Sequence, residues 1–276
     1  MSFVFRRSYR GPVKAVVFDW AGTTVDFGCC APANVFVDLF NSHGIAVTSE
    51  QAREPMGIHK KDHIRILLKM EPIAAQWEKK TGARPTEKDV ESLFAEFVPR
   101  QVETIAKHAD IIPGALETIA AFRAKGIKIG STTGYNGEMM AVLTPLAAKA
   151  GYTPDTMVSV SDVPEGRPSP WMALEAVKRM NVYPLEACVK VGDTPADIGE
   201  GLNAGMWSVG LVDHGNEVGL TAAEFAALSP EDRAAKCAKA RQRLVSCGAH
   251  FVIDTIAQLP ATIDEINCLL ARGERP

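Results

Sequence analysis

The apolar positions of the chain follow two rhythms. Val13–Phe18 is an almost unbroken apolar run of strand length, rich in valine and without alternation, which predicts a strand buried on both faces. From about Ala31 to Lys107 the period is helical and no strand is expected. Ala33–His43 is amphipathic and stops at Gly44. Thr48–Arg53, Lys60–Met70, Pro72–Thr81 and Thr86–Lys107 follow as further helices, the last kinked or divided at Pro99. Beyond Pro113 and Gly114 helices and strands alternate. Helices are expected at Ala115–Lys125, Glu138–Ala150, Pro170–Met180 and Ile198–Ala204. Strands are expected at Ile127–Thr132, Met157–Val160, Cys188–Val191, Ser208–Val212 and Phe251–Ile253. Alternation at this spacing predicts an α/β fold with a doubly wound parallel sheet. The helical stretch after the first strand is too long for a crossover, so residues 29–107 read as an inserted all-helical cap. Residues 1–28 and 108–276 would then form the core.

Composition narrows the function classes. At 276 residues the chain suffices for one large domain or a core plus an insertion. A formal net charge of −3 gives no footprint for nucleic acid or an acidic membrane surface. The six cysteines show no CxxC spacing, which favours a reduced, cytoplasmic chain over a disulfide framework or a zinc site. Met1–Arg10 carries Arg6, Arg7 and Arg10 without the long apolar region of a secretion signal, and no apolar run is long enough to span a bilayer. No GxGxxG or P-loop pattern follows any strand, which removes a dinucleotide-binding role.

The strand ends carry the chemistry, because ligands of open α/β sheets bind in the crevice outside the carboxyl ends of the strands. The first strand ends on Asp19, followed by Trp20-Ala21-Gly22-Thr23-Thr24. Taken alone, such an Asp caps the next turn as readily as it performs chemistry. After the second strand come Thr132, Thr133, Gly134 and Tyr135, a loop of hydroxyl and backbone donors suited to an oxyanion or to a plain polar turn. After the third comes Arg167, a permanent forked cation suited to phosphate. After the fourth comes Gly192-Asp193-Thr194-Pro195-Ala196-Asp197, with two carboxylates a helical turn apart. Beside Asp19 these would make an oxygen-rich site for a hard cation such as Mg²⁺.

In this order the four stretches resemble the haloacid dehalogenase superfamily, and the helical insertion resembles its C1-type cap. The resemblance implies a nucleophilic Asp19 that takes up a phosphoryl group. It implies Mg²⁺ held by Asp19, the carbonyl of Ala21 and Asp193, with Thr132 and Asp197 in support. One departure is informative. Phosphatases of the superfamily carry a second Asp two positions after the nucleophile as general acid and base, and here that position is Ala21. An alcohol leaving group departs poorly without a proton, so another device is needed.

The helix beginning near His59 supplies one. Around its apolar residues Ile64, Leu67 and Leu68, Lys60 projects roughly 30° from the centre of the face and Lys61 roughly 70°. Lys60 is therefore expected to point into the gap between cap and core. Burial there would keep part of it neutral, as imine formation with a carbonyl requires. An iminium would drain electrons from a breaking carbon–phosphorus bond and make an acid at position 21 unnecessary.

These features resemble the phosphonatase family. The resemblance rests on Phe18–Asp26, Pro55-Met56-Gly57, Lys60, Gly130–Tyr135, Asp162-Val163-Pro164, Gly166-Arg167-Pro168, Pro170-Trp171-Met172 and Asn203–Trp207. It implies hydrolysis of a small phosphonate, phosphonoacetaldehyde, to acetaldehyde and phosphate, with Lys60 forming a Schiff base and Asp19 attacking phosphorus. Cys29, Met56, Gly57, His63 and Tyr135 would surround the substrate, and Thr133 and Arg167 would hold the phosphoryl oxygens. It also implies a homodimer paired through the cap helices. From spacing alone, His63 lies one turn from Lys60 and would either shuttle its proton or sit on the helix surface. A Mg²⁺-dependent phosphatase or phosphomutase with a different proton donor, and a non-catalytic phosphate-binding relative, remain open readings of the same residues.

Overall fold

The computed structural model describes residues 8–276, so Arg6 and Arg7 lie outside the described residues. Six parallel strands form one sheet in the order β3-β2-β1-β4-β5-β6. They are β1 (Ala15–Phe18), β2 (Lys128–Thr133), β3 (Thr156–Ser159), β4 (Cys188–Gly192), β5 (Trp207–Leu211) and β6 (Phe251–Ile253). The chain leaves β1 toward β2 and β3, then returns to β1's other side with β4. The strand order therefore reverses between β1 and β4, and a crevice opens at the carboxyl ends of those two strands.

Helices cover both sheet faces, as a doubly wound sheet demands. Ala15 and Val17 point to one face and pack with Met172, Ala173, Ala176 and Val177 of the helix Trp171–Arg179. Val16 and Phe18 point to the other and join the cluster containing Ile119, Phe122, Ile263 and Ile266. Both faces are buried, which is why Val13–Phe18 shows no polar alternation.

Among the described residues six helices lie between β1 and β2, and the first five form the insertion: α1 (Cys30–Ser42), α2 (Ser49–Arg53), α3 (Lys60–Lys69), α4 (Glu71–Thr81) and α5 (Glu87–Ile105). After them come α6 (Ala115–Ala124), α7 (Gly137–Lys149), α8 (Trp171–Arg179), α9 (Pro195–Asn203), α10 (Ala222–Ala227), α11 (Pro230–Ser246) and α12 (Leu259–Ala271). The expected elements are present with ends shifted by a few residues, the range over which helix ends fray. Of the two outcomes open at Pro99, division is excluded: α5 runs unbroken from Glu87 to Ile105. Buried residues hold the helix on both sides of the proline, Val90, Leu93, Phe97 and Val98 before it and Gln101 and Ile105 after it, so packing outweighs the missing N–H. No helix among the described residues is long and apolar enough to cross a membrane.

Candidate active site

Asp19 follows β1 directly and is 6% exposed. The loop behind it is tight: the Trp20 carbonyl accepts from the N–H groups of Thr23, Thr24 and Val25 at 3.1, 2.8 and 3.0 Å. Gly22 has φ +84°, and a Cβ there would lie 2.2 Å from an Asp193 carboxylate oxygen, so only glycine fits. His214 braces this loop, its Nδ1 donating to the Gly22 carbonyl at 2.8 Å while Nε2 accepts from the Ile256 N–H at 3.3 Å. Burial lowers His214 to about 4, so the ring is neutral with its tautomer fixed by those two bonds.

A buried charge network lies beneath the crevice. Arg167 pairs through Nη1 with Asp19 at 2.7 Å and Asp197 at 3.0 Å, and through Nε with Glu200 at 2.7 Å. Its Nη2 donates to the Thr132 carbonyl at 2.8 Å and hydroxyl at 2.7 Å. Lys190, in the middle of β4, adds a second cation 2.7 Å from Asp197. The other Asp197 oxygen accepts from the Thr194 hydroxyl at 2.6 Å in a capping box that starts α9. Burial pushes Asp197 upward, but Arg167 and Lys190 outweigh it and hold the carboxyl below its ordinary value.

Asp193 is in the opposite position. Its oxygens accept from the Thr23 hydroxyl at 3.0 Å and the Asn216 N–H at 2.7 Å, and among the described residues no cationic side chain touches it. Burial, and then the charges of Asp19 and Asp197, push its pKa well above the usual carboxylate range. Burial and Asp197 likewise raise Asp19 to about 6, against the pull of Arg167 and Lys190. Asp19, Asp193 and Asp197 each offer a ligand atom within 4.8 Å of the others.

These residues fit a divalent cation, and the charge balance selects its ligands. Asp197 and Glu200 are already matched by Lys190 and Arg167. Asp19 and Asp193 are left with excess negative charge beside the Ala21 carbonyl, which accepts no hydrogen bond among the described residues. Two carboxylates and a carbonyl are the hard oxygen donors such an ion takes. One Asp19 oxygen faces Arg167, and the other has no partner among the described residues.

The helical insertion closes the crevice from above. Lys60 opens α3 and is 3% exposed, whereas Lys61 turns outward to Glu91 at 3.2 Å. The Lys60 Nζ sits 3.5 Å from the Met56 sulfur and faces the rings of Tyr135 and Phe36 at 5.4 and 5.8 Å. Burial lowers its pKa, although Cys29, Asp19 and Asp193 pull the other way. Lys60 and Asp19 line one cavity with Ala21, Cys29, Met56 and Tyr135; Gly57, Thr133 and Arg167 also border it. At about 20 Å³ it has room for one water. Gly57 is set by close approach as well as by φ +92°, because a Cβ there would lie 2.3 Å from the Thr194 hydroxyl. Cys29 starts α1 with φ +50°, its thiol pushed well up by burial and so protonated.

One sequence reading is narrowed in three dimensions. His63 does not border the cavity. It is fully buried behind Phe36, stacked at 3.8 Å, with its Nε2 bonded to the Ala52 carbonyl at 2.8 Å. Burial and the nearby Lys60 charge hold it well below its ordinary pKa, so it is neutral, and its burial excludes the helix-surface position. Of the two adjacent threonines, Thr132 turns its hydroxyl to Arg167 and Glu200, while Thr133 borders the cavity. Lys190, Glu200, His214 and Asn216 went unnoticed in the sequence. Lys190 alone left a signal, a charge in the middle of an otherwise apolar strand.

The sequence profile of the haloacid dehalogenase-like hydrolases matches residues 13–205, spanning the sheet from β1 to the end of α9. The chain belongs to the haloacid dehalogenase-like hydrolase family. Its full-length relatives narrow the group. It is 50% identical over 275 residues to a phosphonoacetaldehyde hydrolase-like protein of Syntrophobacter fumaroxidans, covering 99% of each chain. It is 48% identical over 274 residues to a phosphonoacetaldehyde hydrolase of the same organism, again covering 99% of each. A solved structure of a phosphonoacetaldehyde hydrolase-like protein from Oleispira antarctica superposes over 100% of both chains with a TM-score of 0.97 at 43% identity.

Proposed function

We propose that this protein hydrolyses the carbon–phosphorus bond of phosphonoacetaldehyde, giving acetaldehyde and phosphate. The observation that carries the reading is the pairing, in one buried cavity, of a desolvated lysine with an aspartate whose neighbouring acid position is Ala21. The relatives named phosphonoacetaldehyde hydrolase, at 44–48% identity over most of the chain, support the choice of substrate.

Neutral Lys60 adds to the aldehyde carbon, and with uptake of one proton from solvent the adduct releases water, leaving an iminium. The free oxygen of Asp19 attacks phosphorus in line, and the electron pair of the breaking carbon–phosphorus bond moves into the iminium. An enamine therefore departs in place of a carbanion, and no acid at position 21 is required. The enamine takes a proton at carbon, and water frees acetaldehyde from Lys60. A second water cleaves the aspartyl phosphate, returning Asp19 and releasing phosphate. A Mg²⁺ ion held by Asp19, Asp193 and the Ala21 carbonyl would supply positive charge to the phosphoryl oxygens. Thr133 offers them a hydroxyl, and Arg167 the guanidinium that also pairs with Asp19. Cys29, Met56 and Tyr135 shape the aldehyde end of the cavity, and Gly57 lets the helical loop reach Thr194.

Residues 29–107 act in this reading as the cap over a core of residues 1–28 and 108–276, and a one-water cavity requires the cap to lift before substrate enters. The same reading places a homodimer interface on the cap helices and the protein in the cytoplasm. The test is product analysis: phosphonoacetaldehyde with Mg²⁺ yields acetaldehyde and phosphate in equal amounts. Equal or faster release of phosphate from p-nitrophenyl phosphate would contradict the proposal and indicate a general phosphatase.

A further inference from the structure

The helical insertion grips the metal side of the crevice through a contact that the chemistry above does not use. Arg53, at the end of α2, donates from Nη1 to the carbonyls of Gly28 and Cys29 at 2.6 and 3.3 Å and to the side-chain oxygen of Asn216 at 3.2 Å. Asn216 answers, its side-chain nitrogen donating to the Arg53 carbonyl at 3.2 Å. The two residues thus hold each other by one bond in each direction. Asn216 is 2% exposed, and its own backbone N–H is the donor that holds Asp193 at 2.7 Å. The loop carrying it leaves no slack, since Gly219 has φ +68° and a Cβ there would lie 2.7 Å from Nε of Arg53. The clasp lies beside a cleft of about 710 Å³ between α2 and α11. Across that cleft Arg243 ties Glu54, the residue after Arg53, to Glu217, the residue after Asn216, each at 2.9 Å.

We propose that Asn216 and Arg53 are positioning residues that couple the seating of the helical insertion to the geometry of the metal-site carboxylate Asp193. The inference rests on the reading that Asp193 holds the divalent ion. When the insertion is seated, Arg53 fixes the Asn216 side chain, which fixes its N–H and so one oxygen of Asp193. When the insertion lifts, that oxygen loses its orienting donor. Coupling of this kind is reciprocal, so the ion favours the seated insertion as much as the seated insertion favours the ion.

Titration calorimetry with MgCl₂ alone tests this without reference to turnover. Arg53→Met keeps the apolar stem and removes the guanidinium; Asn216→Leu removes both side-chain bonds to Arg53, and one to Glu217, at similar volume. Each variant is expected to weaken Mg²⁺ binding by about ten-fold, the size of a lost orienting contact around a metal ligand. The double variant is expected to be no weaker than either single one. The sign is diagnostic for Arg53→Met, because removing a nearby cation for electrostatic reasons alone would tighten Mg²⁺ binding. In the unaltered protein, Mg²⁺ is expected to slow amide exchange across residues 28–31 and 53–58, and in either variant that slowing disappears. Tighter or unchanged binding in Arg53→Met, or losses that add in the double variant, would overturn the coupling. If the unaltered protein bound no Mg²⁺, the metal reading itself would fall, and the coupling with it.

Discussion

Lys60 sits among a thioether, a phenol ring and a phenyl ring, surroundings that solvate an ammonium poorly and a neutral amine well. Arginine keeps its charge in such a place and has no amine free for addition. Lys60→Arg is therefore expected to lower turnover of phosphonoacetaldehyde at least about 10³-fold, in the range seen when a covalent nucleophile is removed. The buried aspartates make an opposed pair of predictions, read by thermal unfolding without metal. Asp193 is charged against its environment, so Asp193→Asn raises the melting temperature while abolishing Mg²⁺ binding. Asp197 is held in its charged form by Lys190 and Arg167. Asp197→Asn strands both cations and lowers stability by about 3 kcal/mol or more. Equal shifts of one sign in both variants would contradict the charge balance described for the site.

At the level of elements, two joints connect the helical insertion to the sheet. Asp26 caps α1, its oxygens accepting from the Cys30 and Ala31 N–H groups at 3.1 and 2.9 Å. His108, just past α5, reaches the same carboxylate at 3.3 Å. The hydrogen bond and charge of Asp26 raise the His108 pKa against partial burial. Because the folded value lies above the unfolded one, this contact stabilises fully below about pH 6.5 and is lost as pH rises through the raised value. His108→Gln is expected to lower the melting temperature at pH 5.5 and to have little effect at pH 9; the reverse order would contradict the assignment. Elements were the most legible level of the sequence. Six strands and the long helical insertion follow from apolar runs and period, because both sheet faces are buried and each helix stops at a glycine or a polar break. Pro99 left division of its helix open, because a local rule about one N–H cannot register the packing that spans it. Asp19, Asp193 and Arg167 were legible from loop motifs at strand ends, and Lys60 from the apolar face of its helix. Glu200 and Asn216 were not, since each matters only through a partner distant in sequence. The burial of His63 was not legible, because helical spacing sets its distance from Lys60 but not the packing of Phe36 against its ring.

Taken whole, the molecule brings a carboxylate and a metal site from the sheet together with an amine from the insertion. The sheet reverses its winding between β1 and β4 and so sets Asp19 beside Asp193. The insertion then lowers Lys60 onto them in a cavity of one-water size. In the proposed mechanism neither part holds the full set of reacting groups, so the seating of the insertion is a condition of that chemistry. The central claim is that Lys60 forms an imine with the aldehyde before the carbon–phosphorus bond breaks. Borohydride reduction in the presence of phosphonoacetaldehyde, followed by peptide mapping, tests it directly. The account predicts irreversible loss of activity and a single reduced two-carbon adduct on Lys60, absent when borohydride or the aldehyde is omitted. Full activity after borohydride, or an adduct on another lysine with Lys60 unmodified, would contradict it.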